Sequence, residues 1–186
     1  TSGSIIYDGV ELRKMKNNET KSKCNKIKLL ITDVDGVLTD GGRYYSEKGE
    51  IMKRFHTRDG MGINILLRNY INSIIITKEK SKIVKKWAKD MNVSKLYLGI
   101  KHKEKKLSDV CKDFSLKKDE IAFIGDDVND LELLNSVGFS ATPSDGILNA
   151  KKIVDYVCIS KAGEGAFREI CDLILSIQFP NKTKWY

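Results

Sequence analysis

The chain has 186 residues, 41% of them hydrophobic and 31% charged, which suits one domain with a substantial core. This balance excludes an intrinsically disordered chain, and no apolar run reaches the length of a membrane span. The net charge of +8 comes from lysines interleaved with acids, without an aromatic cluster or a recognition-helix motif. We therefore expect a solvated basic surface that attracts an anionic substrate, with no nucleic-acid and no membrane partner.

The four cysteines carry no disulfide or zinc signature, because none lies in C-x-x-C spacing. Reduced and mostly buried thiols in a cytoplasmic protein are the expected state. The cysteines are Cys24, Cys111, Cys158 and Cys171.

Three segments follow from the pattern of polar and apolar residues. Residues 1–26 are polar and lysine-rich, which predicts an extension or linker ahead of the domain. Residues 27–178 carry the regular apolar pattern of a folded domain, and residues 179–186 are predicted as a C-terminal tail.

The first predicted strand, at about 27–33, ends in a pair of carboxylates. Asp33 and Asp35 follow the apolar run, and Gly36 permits a sharp turn beside a ligand. Side chains two residues apart on a strand point the same way, so this pair needs a cation or a substrate to compensate it. Turn signals farther on predict an inserted β-hairpin at about 42–55.

After the hairpin, short apolar strands alternate with segments of helical apolar spacing. This alternation predicts an α/β, Rossmann-like three-layer fold with a parallel sheet covered on both faces. The predicted strands lie at about 73–77, 96–98, 121–124, 139–141 and 156–159. The predicted helices lie at about 59–69, 80–91, 103–114, 146–152 and 165–178, with a further helix beginning at Leu131.

Polar side chains of complementary type follow three of these strands, at the edge where such sheets bind ligands. Together they supply several acids, one hydroxyl and one amine. The residues are Asp33, Asp35, Thr77, Asp126, Asp127 and Asp130, with Lys103 at the start of a helix between them.

This collection suits phosphoryl transfer. Mg²⁺ prefers carboxylate oxygens, and Asp33 with Asp126 or Asp127 could hold it together with the backbone carbonyl of Asp35. One carboxylate would attack phosphorus, and a second would protonate the leaving alcohol and later activate water. Thr77 and Lys103 would neutralise the phosphate oxygens.

The motifs Asp33-Val-Asp35-Gly-Val-Leu-Thr-Asp-Gly, Thr77, Lys103 and Gly125-Asp126-Asp127-x-x-Asp130 resemble the four motifs of the haloacid dehalogenase superfamily. Arg-Asp-Gly-x-Gly at 58–62 and Gly-x-Gly-Ala-x-Arg-Glu at 163–169 narrow the resemblance to its capless phosphatases of 3-deoxy-ulosonic acid phosphates. Members act on 3-deoxy-D-manno-octulosonate 8-phosphate or on nonulosonate (N-acylneuraminate-type) 9-phosphates. The same domain is also fused to acylneuraminate cytidylyltransferases.

The resemblance implies a role for each matching residue. Asp33 would be the nucleophile and Asp35 the general acid and base, while Thr77, the adjacent Lys78 and Lys103 would hold the phosphate. It also implies no cap domain and a homotetramer in which the hairpin helps to close neighbouring active sites. The implied Mg²⁺ site comprises Asp33, Asp35 through its carbonyl, and Asp126, with Asp127 and Asp130 close by.

Departures from the family pattern concern the substrate. Lys78 stands where Gly is usual, Glu79 where octulosonate phosphatases have Arg, and Glu164 where the last loop often has Arg. The two glutamates favour a nonulosonate 9-phosphate, whereas Arg58, a candidate for binding the substrate carboxylate, is shared with the octulosonate branch. Arg58, Glu79 and Glu164 are thus the candidate specificity residues for a sugar phosphate.

A different class of function stays open from the sequence. The chain could be a non-catalytic oligomerisation domain of a longer cytidylyltransferase, which the polar N-terminal segment permits. The presence of every motif residue favours the enzyme, and an assay for metal-dependent phosphate release separates the two hypotheses.

Overall fold

The computed structural model describes residues 6–7, 10–11 and 17–182. The strands are β1 Ile6–Tyr7, β2 Val10–Glu11, β3 Leu29–Thr32, β4 Tyr44–Ser46, β5 Gly49–Met52, β6 Asn72–Ile76, β7 Lys95–Tyr97, β8 Ile121–Ile124, β9 Phe139–Thr142 and β10 Tyr156–Val157. The helices are α1 Asn17–Cys24, α2 Thr57–Arg68, α3 Lys82–Asp90, α4 Leu107–Phe114, α5 Leu131–Leu134, α6 Leu148–Ile153 and α7 Ala166–Gln178. Short 3₁₀ turns lie at Lys103–Lys106, Lys118–Glu120 and Val128–Asp130.

A six-stranded parallel sheet in the order β10-β9-β8-β3-β6-β7 forms the centre of the fold. The chain runs from β3 to β6 and β7 on one side, then crosses over to β8, β9 and β10 on the other. This reversal leaves a crevice at the carboxyl end of β3, the usual place for a ligand in an open α/β sheet.

Helices cover both faces of the sheet, so the predicted three-layer α/β fold is confirmed. The side chains of β3 are fully buried and alternate between the two layers. Leu30 packs into one apolar cluster with residues of α1, α2, α3 and α7, whereas Leu29 and Ile31 pack into the other with α4, α5 and α6. Burial on both faces explains why the strands read as continuous apolar runs.

The predicted hairpin is present as the antiparallel pair β4–β5, which forms its own two-stranded sheet. Gly49 begins β5 with a positive φ of 107°. Four large apolar side chains of the hairpin are exposed to between 48% and 61%, which marks it as a candidate contact surface. They are Tyr44, Tyr45, Ile51 and Met52.

The segment predicted as an extension contains a helix that belongs to the packed domain. Helix α1 packs against α7, and Cys24 at its end is completely buried. Gln178 Nε2 of α7 donates to the carbonyl oxygens of Cys24 (2.9 Å) and Ile27 (2.7 Å). The predicted boundary at residue 27 therefore falls after the first helix of the fold. The sequence of α1 is almost entirely polar, so its apolar periodicity was too weak to predict the helix.

Other differences are local. The helix predicted over 103–114 begins as the 3₁₀ turn Lys103–Lys106, and the last strand is shorter than the predicted 156–159. All four cysteines are free thiols, as predicted. Residues 1–5, 8–9 and 12–16 of the predicted extension and 183–186 of the predicted tail lie outside the described residues. Within the described ranges, no helix combines the length and apolarity needed to cross a bilayer.

Candidate active site

Strands β3, β6 and β8 bring the predicted motif residues to one edge of the sheet. Asp33 follows β3, Thr77 follows β6, and Gly125 with Asp126 follows β8. Because β3 pairs with both β6 and β8 in register, their carboxyl ends meet at the crevice. The convergence expected from the sequence is therefore present.

A buried lysine joins two of the acids. Lys103 Nζ lies 2.8 Å from Asp33 Oδ2 and 2.6 Å from Asp130 Oδ1, and its side chain is 0% exposed. Burial alone would lower the pKa of Lys103, but the charges of Asp33 and Asp130 raise it, so the amine stays protonated. Burial raises the pKa of Asp33 to about 6 against the opposing effect of Lys103. The salt bridge with Lys103 favours the ionised carboxylate, the form in which Asp33 could act as a nucleophile.

Asp130 organises the loop after β8. Its Oδ2 accepts hydrogen bonds from the backbone N–H groups of Asp126 (3.0 Å) and Asp127 (3.4 Å). Its other oxygen faces Lys103, so both oxygens are occupied. Asp130 thus fixes both the loop after β8 and the amine of Lys103.

Three carboxylates gather where a cation would bind. One oxygen from each of Asp33, Asp126 and Asp130 lies within 4.8 Å of the other two, although those of Asp130 are already engaged by Lys103 and the loop N–H groups. Asp33 Oδ1 and Asp126 Oδ1 are buried and make no hydrogen bond within the described part of the chain. Burial, followed by the charges of Asp33 and Asp130, raises the pKa of Asp126 to about 8. Unpartnered oxygens and crowded negative charge are what a hard divalent cation would compensate.

Two predicted metal residues have other contacts. Asp127 is exposed, and its Oδ1 accepts from the N–H of Val128 (2.7 Å), capping the 3₁₀ turn Val128–Asp130. The carboxylate of Asp35 bonds to Lys53 and lies outside the acid cluster. The carboxylates that cluster closely enough to share a cation are thus those of Asp33, Asp126 and Asp130, and the predicted metal-site roles of the Asp35 carbonyl and of Asp127 stay predictions.

Asp35 is held by a buried network that the sequence did not predict. Lys53 Nζ contacts Asp35 Oδ1 and also lies 2.8 Å from Glu50 Oε1, and the lysine side chain is 0% exposed. Ser81 Oγ donates to Glu50 Oε2 at 2.6 Å. The second oxygen, Asp35 Oδ2, is buried without a hydrogen bond in the described chain. The alternation of side chains along a strand could not predict the burial of Lys53, because this residue lies just beyond the end of β5.

The remaining predicted residues divide between the site and the surface. Thr77 is buried, and its hydroxyl oxygen accepts from the N–H of Glu79 (3.3 Å). Lys78 is exposed beside it. Arg58 lies exposed in the first turn of α2, and Glu164 lies exposed in the loop before α7. Neither Arg58 nor Glu164 lines the cavity at the crevice.

That cavity has a volume of about 330 Å³ and is strongly acidic. Five of the nine described residues that line it are aspartates, and one of the nine, Arg43, is basic. The lining consists of Asp35, Gly36, Asp40, Gly41, Arg43, Asp126, Asp127, Asp145 and Ala162.

Gly36 makes the close approach of the two motif loops possible. It adopts a φ of +89°, and a Cβ atom there would lie 2.0 Å from Asp126 Oδ2. We expect Gly36→Ala to displace Asp126, and to lower the rate of phosphoryl transfer expected at this cluster about 100-fold with weaker binding of a divalent cation, because misplacement by about 1 Å has that effect. Steady-state kinetics over a Mg²⁺ titration measure both quantities.

Gly49→Ala is the matched control, since Gly49 also has a positive φ (+107°) but has no heavy atom within 4 Å of the added methyl position. It carries backbone strain without the clash. Equal losses in the two variants would show that strain, and not contact with Asp126, causes the effect.

A second buried acid lies away from the crevice. Asp59 of α2 is 0% exposed, and its Oδ1 accepts from the N–H of Arg168 in the first turn of α7 (2.8 Å). Asp59 therefore caps the N-terminus of α7. The N-cap residue of that helix, Gly165, has no side chain that could do so. Burial raises the pKa of Asp59 to about 7, since Oδ2 has no hydrogen bond in the described chain.

This raised pKa predicts a pH-dependent stability. The folded protein binds the proton of Asp59 more tightly than the unfolded chain does. The protonated carboxyl therefore contributes its full share to the free energy of unfolding below the ordinary pKa of 3.8, and this contribution is lost as the pH rises through about 7. Between pH 5 and pH 8 the wild type should lose about 1–3 kcal/mol more unfolding free energy than Asp59→Asn. Urea unfolding at the two pH values measures the difference, and parallel pH profiles would contradict it.

Comparisons with known proteins fit this geometry. The model of the haloacid dehalogenase-like hydrolase family matches residues 69–170. The 3-deoxy-D-manno-octulosonate 8-phosphate phosphatase of Haemophilus influenzae is 38% identical over 158 residues, covering 85% of this chain and 88% of that protein. The cobalt-bound structure of the phosphatase from that organism superposes with a TM-score of 0.82 at 38% identity, covering 84% of this chain and 91% of the other.

A third relative was solved with ligands. The 3-deoxy-D-manno-octulosonate 8-phosphate phosphatase of Moraxella catarrhalis, in complex with a magnesium ion, a phosphate ion and a KDO molecule, superposes with a TM-score of 0.84. It is 35% identical, and the match covers 87% of this chain and 92% of that one.

Proposed function

Because this chain belongs to the haloacid dehalogenase-like hydrolase family and is a phosphoric monoester hydrolase, we propose that it hydrolyses the phosphate ester of a 3-deoxy-ulosonate with the help of Mg²⁺. The observation that carries the proposal is the buried cluster of Asp33, Lys103 and Asp130 beside Asp126. It combines a nucleophile, a fixed cation for the phosphate, and unpartnered carboxylate oxygens that fit a divalent metal.

Asp33 would act as the nucleophile. Its carboxylate attacks phosphorus, the bond between phosphorus and the sugar oxygen breaks, and an aspartyl-phosphate forms. Lys103, already 2.8 Å from Asp33 Oδ2, neutralises charge that develops on the phosphoryl oxygens, and Thr77 offers its hydroxyl from the neighbouring strand end. When bound by Asp33 and Asp126, Mg²⁺ would supply further positive charge to the same oxygens.

Asp35 would move the protons. Lys53 occupies Oδ1, so Oδ2 is the oxygen available to give a proton to the departing sugar hydroxyl. The same oxygen then takes a proton from the water that attacks the aspartyl-phosphate, which regenerates Asp33 and releases phosphate. Lys53, Glu50 and Ser81 keep this carboxylate oriented.

The substrate class follows from the named activity of the relatives. Octulosonate 8-phosphate is the substrate named for the Haemophilus and Moraxella proteins. The prediction from Glu79 and Glu164 was a nonulosonate 9-phosphate, so both sugars belong in the test. The deciding experiment measures kcat/KM for octulosonate 8-phosphate, nonulosonate 9-phosphates and simple aldose phosphates with Mg²⁺. A preference for an aldose phosphate would contradict the proposed substrate class.

The assembled site speaks against a purely structural role as an oligomerisation domain. Asp33, Asp130 and Lys103 are buried together beside the half-buried Asp126. Burying charged groups costs stability, and such clusters are found more often at functional sites than in purely structural domains. Absence of Mg²⁺-dependent phosphate release from all three substrate types would restore the structural hypothesis.

We propose a homotetramer as the working form, supported by the exposed apolar side chains of the hairpin β4–β5. Replacing Ile51 and Met52 by serine should shift the mass measured by light scattering toward smaller species. An unchanged mass would show that the hairpin is not the contact.

A further inference from the structure

Arg43 lines the acidic cavity between Glu79 and Asp35, the acid that would move protons in the proposed reaction. It follows the turn Asp40–Gly42 at the start of the hairpin. Its Nη2 lies 2.9 Å from Glu79 Oε1 and 4.0 Å from Asp35 Oδ2. The side chain is 36% exposed, so part of the guanidinium still faces solvent. Arg43 therefore connects the hairpin to the strand-end loop that carries Glu79.

The charges around the cavity make this arginine important for an anionic substrate. Of the described residues that line the cavity, five are acids and Arg43 is the single base. Two buried lysines next to the cavity are committed elsewhere, since Lys103 lies between Asp33 and Asp130 and Lys53 between Asp35 and Glu50. An anionic group of the substrate other than its phosphate therefore finds Arg43 as its partner among these residues.

We propose that Arg43 binds the carboxylate of the sugar-acid substrate and thereby selects a phosphorylated sugar acid over a neutral sugar phosphate. This inference rests on the proposed function, because it assigns a group of that substrate to a residue of this chain.

The chemistry of the guanidinium suits this role. It has five N–H donors in a planar fork that matches a carboxylate, and it meets Glu79 through Nη2. Arg43 lies 4.0 Å from the oxygen of Asp35 that would protonate the leaving hydroxyl, which puts it beside the part of the cavity that the sugar would occupy.

Glu79 acquires a defined role from the same contact. The sequence placed it among the substrate-preference residues, and the structure shows it bonded to Arg43. Glu79 would act as a positioning residue that holds the guanidinium across the cavity. Its influence on substrate preference should then depend on Arg43.

The test compares two substrates in Mg²⁺-containing buffer, octulosonate 8-phosphate and an aldose 5-phosphate that has no carboxylate. Arg43→Gln should lower kcat/KM for the sugar acid about 30- to 100-fold, mainly through KM, because an unpaired carboxylate would enter an acidic cavity. The aldose phosphate should lose less than about threefold, and Arg43→Lys should recover part of the loss. Arg68→Gln, at the far end of α2, is the matched control and should leave both substrates unchanged.

A double-mutant cycle tests the role of Glu79. Glu79→Ala should lower kcat/KM for the sugar acid about 5- to 10-fold in the wild-type background and have little further effect once Arg43 is Gln. Additive losses would show that Glu79 acts independently of Arg43.

Two results overturn the inference and one overturns its premise. Equal losses on both substrates would mean that Arg43 serves Asp35 or the phosphate, and no loss on the sugar acid would mean that another residue binds the carboxylate. If the wild type shows no preference for the sugar acid, the proposed substrate class itself is wrong. A wild-type preference that survives Arg43→Gln refutes only the role of Arg43.

Discussion

Replacement of Asp33 by Asn is expected to lower phosphate release at least about 10⁴-fold, because an amide cannot attack phosphorus to form the acyl phosphate. The variant should still fold. Asn has nearly the same shape, and Lys103 keeps its 2.6 Å contact with Asp130. Circular dichroism and thermal unfolding should therefore resemble the wild type while turnover disappears. The measurement is steady-state phosphate release with saturating Mg²⁺.

A surface acid provides the control for Asp33→Asn. Asp90 is exposed at the end of α3 and pairs with Lys86 at 2.9 Å, so Asp90→Asn removes a carboxylate without touching the crevice. It should retain full activity. Activity of Asp33→Asn above about 1% of the wild type would mean that another group attacks phosphorus, and the proposed mechanism would be wrong.

Replacement of Asp126 by Asn is expected to move stability and activity in opposite directions. Asp126 carries an unpartnered buried oxygen, and burial with neighbouring charge raises its pKa to about 8. In the metal-free protein, ionisation of this carboxylate lowers the free energy of unfolding. Asn resembles the protonated acid, so the metal-free variant should be more stable than the metal-free wild type at pH 7.5 by about 1–3 kcal/mol.

The sign of the pH dependence follows from the raised pKa. The stabilisation from protonated Asp126 is fully present below the ordinary pKa of 3.8 and is lost as the pH rises through about 8. The stability difference between Asp126→Asn and the wild type, both in EDTA, should therefore shrink as the pH falls toward 4. Thermal unfolding at several pH values measures it. A metal-free variant that is less stable at pH 7.5 would contradict the expectation.

Mg²⁺ should reverse the order of stability. If the wild type binds the ion as proposed, it should gain stability from it, whereas Asp126→Asn should bind at least about 100-fold more weakly and lose activity to a similar degree. Calorimetric titration with Mg²⁺ measures the affinity directly. Equal Mg²⁺ affinity of the wild type and Asp126→Asn would show that Asp126 is not a metal ligand.

The elements that could be predicted from sequence are those whose physical signal is local. Strands β3 and β8 are continuous apolar runs because both faces of the sheet are covered, and the acids follow where each run ends. The motif spacing then predicts Asp33, Asp126 and Lys103 correctly as neighbours, since parallel strands in register must end at the same edge.

The features that were missed depend on contacts between segments distant in the sequence. Helix α1 is polar and is recognisable only by its packing on α7. In the sequence, nothing distinguishes Lys53 from the many other lysines. In the folded protein it is buried, with its amine in contact with Asp35 and Glu50. Arg43 reads as a hairpin residue, and only the folded chain shows that it reaches Glu79, 36 positions farther along. The periodicity of apolar residues along the sequence cannot predict contacts between side chains so far apart in the chain.

Acid-quench trapping of the phosphorylated enzyme tests the mechanism most directly. Wild-type protein is mixed for milliseconds with the ³²P-labelled sugar phosphate it hydrolyses and Mg²⁺, then quenched, digested and mapped. The proposed mechanism requires a hydroxylamine-sensitive label on Asp33 that is absent from Asp33→Asn and from samples with EDTA. Phosphate release without protein-bound label, or a label on another residue, would contradict it.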